Sequence, residues 1–446
     1  MIGIGEYSMR IILILLAFSQ FYVSSAQATW VGGISLEQSR FLSTDYQATE
    51  DQAYSFFGFR VKNENDEIFK VDFRGQYAVG VPVLSYIDPR EFYLTTGGFS
   101  FGRKIDSWSM LDETWKMGLF QPTFKWNPLI PDQQGLMGSF YRYQDRQGGF
   151  VFFLSPVFIP DQGALFEIHE GHFVKSNPWF HAPPSYVRLT PQKAEGVEYN
   201  VIKPDLSQIA FRPNMAARAF WGHLDGGPFF QLAQAYGPSH QLGVAVRGAF
   251  SIPVRKFQMD ILPFVYDRQL SSLDTSWTWE NLRMSFSAIR ENSGSAKIPD
   301  ESWTYAEYGP STILSPSLQW QQNNFQLMGS YLSIEGGEVR ARGSASAQTS
   351  TVLPRRFLFQ HAVSLQGRWE IVMKKQTGFM TSVQWIRGTD ENSFDLIRMN
   401  AHYRLNKSWL ISSDLMLVKS LADAGTSEVM NYENNDQLSL GVSYVF

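Results

Sequence analysis

The chain contains no cysteine, so a disulfide framework, a thiol nucleophile and a cysteine-ligated metal are all excluded. Charge is also scarce. Only 18% of residues are Asp, Glu, Lys or Arg, and the 42 acids outnumber the 38 bases for a net charge of -4. A nucleic-acid binder needs a basic excess, and this chain has none. Long apolar runs are missing too: the longest, Ile11 to Phe18, covers eight residues, where a membrane-spanning helix needs about 20. The mean hydropathy of -0.20 fits that lack. Yet 44% of the 446 residues are hydrophobic and 15% are aromatic. Apolar residues that are plentiful but never contiguous belong in alternating strands rather than in helices.

The apolar run near the start reads as the core of a signal peptide, followed by small residues at Ser24, Ser25, Ala26 and Ala28. Ala26-Gln27-Ala28 fits a cleavage site, which makes residues 1-28 the leader and Thr29 the first mature residue. Glu6 is out of place in a basic leader segment. Met9-Arg10 makes a cleaner start than Met1.

From Trp30 onward the pattern is period-two alternation in short segments. Phe57, Phe59 and Val61 face away from Gly58, Arg60 and Lys62. After the Asn-Glu-Asn-Asp turn, Phe69, Val71, Phe73, Tyr77 and Val79 face away from Lys70, Asp72, Arg74 and Gln76. Six such segments precede residue 160 and twelve follow Ser207. Among them Glu91 to Phe101, Gln241 to Phe250, Phe257 to Tyr266 and Trp277 to Ile289 are each read as one strand. The fold expected is all-β: a transmembrane antiparallel β-barrel of about 18 strands, with 16 the next even number. Residues 29-446 form its single domain, interrupted by short helical or irregular insertions at about 102-135 and 160-205. In the first, Ser109 to Leu119 has the makings of a short helix, with Ser109 as a possible cap and Asp112 and Glu113 in the first turn. Long polar connections (Glu335 to Thr351, Ser420 to Asp436) alternate with tight ones (at Gln321 and Leu405), the asymmetry of outer-membrane barrels. By that parity the two insertions fall on the short-turn, periplasmic side, as a plug, unless strands have been overlooked.

The last nine residues, LSLGVSYVF, place Leu438, Leu440, Val442, Tyr444 and Phe446 on one face and small or weakly polar residues on the other, to the final atom of the chain. This stretch resembles the closing strand of Gram-negative outer-membrane β-barrels. The resemblance implies an assembly signal read by the barrel-assembly machinery, delivery by periplasmic chaperones, and outer-membrane lipid as the surrounding partner. A soluble β protein could end in an alternating strand as well.

His169-Glu170-Gly171-His172 has the residues of a zinc site but the wrong spacing: helical metalloprotease sites place histidines four apart, not three. It reads as a loop, and no metal or other cofactor is expected. Ser176-Asn177-Pro178 departs from the Ser-Asn-Gly of outer-membrane phospholipases at the glycine, and no enzyme is expected. Gly102 to Gly135, with Arg103, Trp108, Asp112, Trp115 and Asn127-Pro128, loosely resembles a stretch that folds at or into the lumen of porin-like and polysaccharide-export barrels. A capped turn would account for it equally.

With the aromatic face outward, the inward positions carry Arg60, Arg74, Arg142, Arg212, Arg218, Arg247, Arg283, Arg368, Arg398 and Arg404 against Asp72, Asp260 and Asp414. A confined bore focuses the field of an unpaired excess, so the expectation is a porin-like channel for small solutes that prefers anions. Pairing with loop carboxylates would cancel that preference. The competing reading is a non-conducting barrel acting as envelope anchor, adhesin or surface-polysaccharide export or assembly factor.

Overall fold

A computed structural model describes residues 29-42, 53-64, 68-174, 177-190, 193-251, 256-296, 298, 302-343, 356-374, 377-390, 394-420, 432-433 and 435-446. The expected leader, 1-28, lies outside them. Eighteen strands form one antiparallel sheet, named here in wall order: β1 Thr29–Phe41, β2 Ala53–Glu64, β3 Phe69–Ala78, β4 Tyr86–Thr96, β5 Phe99–Lys104, β6 Leu136–Gln144, β7 Gly148–Ser155, β8 Asn214–His223 and β9 Gly226–Pro238. The wall continues through β10 Tyr266–Trp279, β11 Leu282–Ala296, β12 Ser311–Gln322, β13 Phe325–Gly336, β14 His361–Lys374, β15 Thr377–Gly388, β16 Phe394–Arg404, β17 Trp409–Ser420 and β18 Gln437–Val445. Each strand pairs with its chain neighbour, and β18 pairs with β1 from Gly33↔Val445 to Phe41↔Gln437. The sheet therefore closes on itself and leaves no free edge.

The expected total of 18 is met, but four errors cancel within it. Glu91 to Phe101 is two strands, β4 and β5, reversed at Gly97-Gly98, whose φ angles of 55° and 86° suit the mirror-image turn that strand twist favours in tight hairpins. Trp277 to Ile289 also spans a turn. β10 and β11 reverse at Glu280-Asn281, where Glu280 sits at φ 49° and no glycine or proline marks the break. Conversely, Gln241 to Phe250 and Phe257 to Tyr266 are not wall strands. Gly243–Ser251 and Lys256–Phe264 pair with each other in a separate six-stranded sheet, with 186-190, 193-201, 304-308 and 339-342. Alternation marks any half-buried strand and cannot distinguish the two sheets. Ser207 to Trp221 likewise begins as a short helix, Leu206–Ala210, before β8.

The wall faces separate as expected. Trp221, Leu232, Trp277, Met284, Leu365, Leu440 and Val442 project outward and are exposed, whereas Phe140, Val151, Leu270, Ile313 and Leu332 point inward and are buried. An exterior this apolar is stable only against hydrocarbon. Connections at one end of the barrel have two to four residues; at the other they run from five (389-393) to fifty-eight (156-213). Because β4 and β5 are two strands, the parity shifts, and both insertions belong to the long-connection end. Their expected position on the short-turn side is thus corrected.

The seam between β18 and β1 is tight. Phe446 donates its backbone N–H to Gly32 at 2.9 Å and accepts from the Gly32 N–H at 3.1 Å. A Cβ built on Gly32 would lie 2.3 Å from the Phe446 ring. That ring is the 68% exposed end of the terminal side chain and can turn aside, so Gly32→Val should cost at most about 1 kcal/mol, the low end of overpacking. The expected outcome is a nearly wild-type fraction of heat-modifiable folded barrel on cold gels after refolding. A large loss of folded barrel would show that the ring is held in place at the seam.

Candidate functional site

The connection 105-135 between β5 and β6 turns into the bore; buried polar contacts fix its first part against β6–β12 and its returning part against β3 and β4. Asp106 is clamped between Arg142 on β6 at 2.7 Å and Arg218 on β8 at 2.9 Å, with Asp106 and Arg218 both buried. Burial alone would raise the Asp106 pKa, but the two guanidinium groups prevail and hold it below the usual carboxylate range. Arg218 also donates to the Ser107 carbonyl, Gln231 on β9 donates to the Trp108 carbonyl at 2.9 Å, and Arg268 on β10 donates to the Leu119 carbonyl. The helix α1, Met110–Trp115, carries Asp112 and Glu113 in its first turn and Ser109 at its N-cap position as expected, but the Ser109 side chain makes no capping bond. Its hydroxyl donates to Asp274 on β10 at 3.2 Å instead, and the Met110 N–H donates to the same oxygen. Trp115 Nε1 reaches the Ser315 hydroxyl on β12 at 3.0 Å. Leu111, Trp108 and Leu119 are buried in a core that also takes in Phe41, Phe56, Phe394 and Met416 from the other side of the wall. Each fully buried apolar side chain of this size contributes roughly 1.5–3 kcal/mol.

Space remains on the other side, in two cavities. One, of about 310 Å³, is lined by β16, β17, β18, β1, β2, β3 and β4 and by the insertion, and includes Glu37, Arg74, Tyr86, Trp126, Asp132, Arg398 and Asp414. The other, of about 460 Å³, runs along β13 to β16 and includes Glu113, Lys116, Gln366, Gln384, Arg398 and Asn400. Ile130 of the insertion and Arg398 of β16 line both. The two cavities adjoin at Ile130 and Arg398, and together they trace a crescent with these two residues at its waist.

Of the residues expected in the lumen, Arg60, Arg74, Arg142, Arg218, Arg283, Arg368, Arg398, Arg404, Asp72 and Asp414 do sit at inward positions of wall strands. Three do not. Arg247 and Asp260 pair with each other at 3.0 Å in the six-stranded sheet, and Arg212 precedes β8 and pairs with Asp267 at 2.6 Å, at a β10 position of outward parity. The inward arginines are largely neutralised: Arg60 by Asp72 at 2.8 Å, Arg74 by Asp88 at 2.8 Å and Asp132 at 2.7 Å, Arg283 by Asp225 at 3.4 Å, Arg368 by Glu370 at 3.5 Å and Arg398 by Asp414 at 3.0 Å. Arg404 makes no such pair among the described residues. The arginine excess that underlay the expected anion preference is thus mostly cancelled. Several of the acids responsible escaped the sequence reading: Asp88 sits in the overlooked β4 segment and Asp106 and Asp132 in the irregular insertion. Glu37, which pairs with none of these arginines, shares the parity of Ser35 and Ser39 and was legible there.

His169 and His172 face each other across the tight turn of a small hairpin.

Closure, an even strand number, an apolar exterior and both wall ends at the short-turn side define the class: an outer-membrane-type β-barrel whose lumen is narrowed by a folded-in connection. No family model matches the sequence, and no curated protein does. Among solved structures, the chain is similar to OccK2 (OpdF) of Pseudomonas aeruginosa in complex with glucuronate, at 10% identity and a TM-score of 0.49, covering 94% of this chain and 96% of that one. It is similar to Pseudomonas aeruginosa OpdL at 10% identity and a TM-score of 0.44, covering 95% and 99%. It is also similar to the outer membrane channel DcaP of Acinetobacter baumannii at 8% identity and a TM-score of 0.41, covering 95% and 98%.

Glu113 gives the crescent a titratable charge near neutrality. Burial, with Asp112 adding to it and a hydrogen bond from Ser107 opposing, pushes its pKa up to about 7. Because the folded state favours the protonated form, its contribution to stability is complete below the ordinary glutamate range and is lost as the pH rises through about 7. A negative charge then appears beside Lys116 in the larger cavity. Raising the pH from 6 to 8 should shift the zero-current potential under a KCl gradient toward cation preference, and Glu113→Gln should abolish the shift. An unchanged shift in that variant would assign it to another group.

Proposed function

We propose that the protein is a channel of the Gram-negative outer membrane through which small polar solutes cross by the crescent between the inserted connection and β13–β18 and β1–β4. The observation that carries this reading is the polar space left beside the packed insertion. Buried hydrogen bonds and ion pairs hold its first part against β6–β12, and Asp132 and Gln134 tie the returning chain to Arg74 on β3 and Asp88 on β4, while polar and charged side chains line the space left between these contacts. A plug whose only role was closure would gain by filling that space with apolar side chains, since buried charges are costly unless paired. Three basic groups (Arg74, Lys116, Arg398) face four acids (Glu37, Glu113, Asp132, Asp414) along the crescent. The selectivity between anions and cations is therefore weak, in place of the anion preference that unpaired arginines would give. The alternating outward face of β18 serves as the signal for assembly machinery, with lipid around the finished wall, and the protein acts without catalysis.

The test is single-channel conductance of the refolded barrel in planar bilayers. Small, nearly unselective unitary currents are expected. Ile130→Gly, which widens the waist, should raise the conductance, and Ile130→Trp should lower it. A silent wild-type barrel would sink the channel reading and favour the anchor or assembly role.

A further inference from the structure

The smaller cavity joins aromatic faces to pre-paired charges. Tyr86 on β4 packs against Phe124 and Trp126 of the insertion with ring centroids 4.9 and 5.1 Å apart, and Tyr86 and Trp126 are only half-buried. Arg74 lies over Phe124 at 5.5 Å while its guanidinium bonds Asp132 and Asp88. Further round the same cavity are the Arg398–Asp414 pair and Glu37. Its charged lining is two arginines against three acids, Glu37, Asp132 and Asp414. A carboxylate solute would have to displace an acid already on Arg74 or Arg398 and would meet Glu37, which bonds the Ser439 hydroxyl and makes no ion pair among the described residues. A neutral hydroxyl, both donor and acceptor, can bond a guanidinium and its partner carboxylate together without breaking the pair. The C–H face of a ring of hydroxylated carbons fits the apolar ring surfaces, and the volume falls at the lower end of that of small-molecule sites, roughly 300–1,000 Å³.

We propose that this cavity is a binding subsite for uncharged saccharides of about one ring, with Trp126 and Tyr86 as the stacking surface and Arg74–Asp132 and Arg398–Asp414 as the hydroxyl-binding pairs. The inference deepens the channel reading and names its solute class. Equilibrium binding of glucose, against glucuronate as the same ring carrying a carboxylate, is measured by calorimetry on the full-length refolded barrel in detergent, a readout that needs no current. Glucose should bind about tenfold more tightly than glucuronate, and Trp126→Ala should weaken glucose about tenfold while Trp126→Phe retains most of the affinity. Absence of glucose binding, tighter binding of glucuronate, or a Trp126→Ala variant that folds and binds glucose as the wild type does would overturn the proposal. The two readings fail separately: a conducting barrel that ignores glucose removes the subsite alone, and a silent barrel that binds glucose removes the channel alone.

Discussion

The arrangement inside this barrel depends on the carboxylate of Asp106, held between Arg142 and Arg218. A buried ion pair is weak evidence of net stability, but removing one partner leaves an uncompensated charge and typically costs 3–5 kcal/mol. Asp106 stands at the point where the chain leaves β5, so the clamp fixes the direction in which the next thirty residues run. The hydrogen bonds of Ser109 to Asp274 and Trp115 to Ser315 follow across the wall as far as β12. Without this sequence of contacts, the polar backbone of an irregular insertion in a closed bore would have to be satisfied by water.

The same device returns near the other end of the insertion. Asp132 accepts from Arg74 at 2.7 Å and lies 3.4 Å from Lys116, so that one carboxylate ties the returning chain both to β3 and to the residue that ends α1. Burial works against ionisation there, yet Arg74 and Lys116 lower its pKa to about 2. At neutral pH the insertion is thus ionically fastened at both ends, and what separates the packed half of the bore from the crescent is a polar boundary as well as a steric one. At the long-connection end, Arg356 fastens a different segment, the connection between β13 and β14, in the same way. It pairs with Glu291 on β11 at 2.8 Å, beside Arg268, and lies against the rings of Tyr266, Tyr308 and Phe357.

Much of this was written in the chain. Period-two alternation identified the wall, its inward and outward faces and the closing strand, because those depend on side-chain parity alone. The turns at Gly97-Gly98 and Glu280-Asn281 were missed for a local reason: each is only two residues long, and apolar residues continue on both sides of it. The segments at 243-251 and 256-264 were misplaced for a non-local one, since a second sheet imposes the same alternation as the barrel. At the site, inward arginines such as Arg74 and Arg398 were found by parity. So was Asp414, the partner of Arg398, but Asp88 and Asp132, the partners of Arg74, and Ile130 at the waist were not, because which carboxylate meets Arg74 is decided by an irregular fold that no periodicity encodes.

The division of the bore into a packed half and an open crescent can be measured directly, because the chain has no cysteine and any introduced thiol is the only one. Single cysteines at Gln366 and Gln384, in the crescent, and at Gln231 and Ser315, beneath the insertion, can be treated in the folded barrel with a small charged methanethiosulfonate reagent and the labelled fraction read by mass spectrometry. Rapid labelling at the first two sites and protection at the second two is the result predicted. Equal labelling at all four would contradict it, since the insertion would then not occupy the half of the lumen assigned to it.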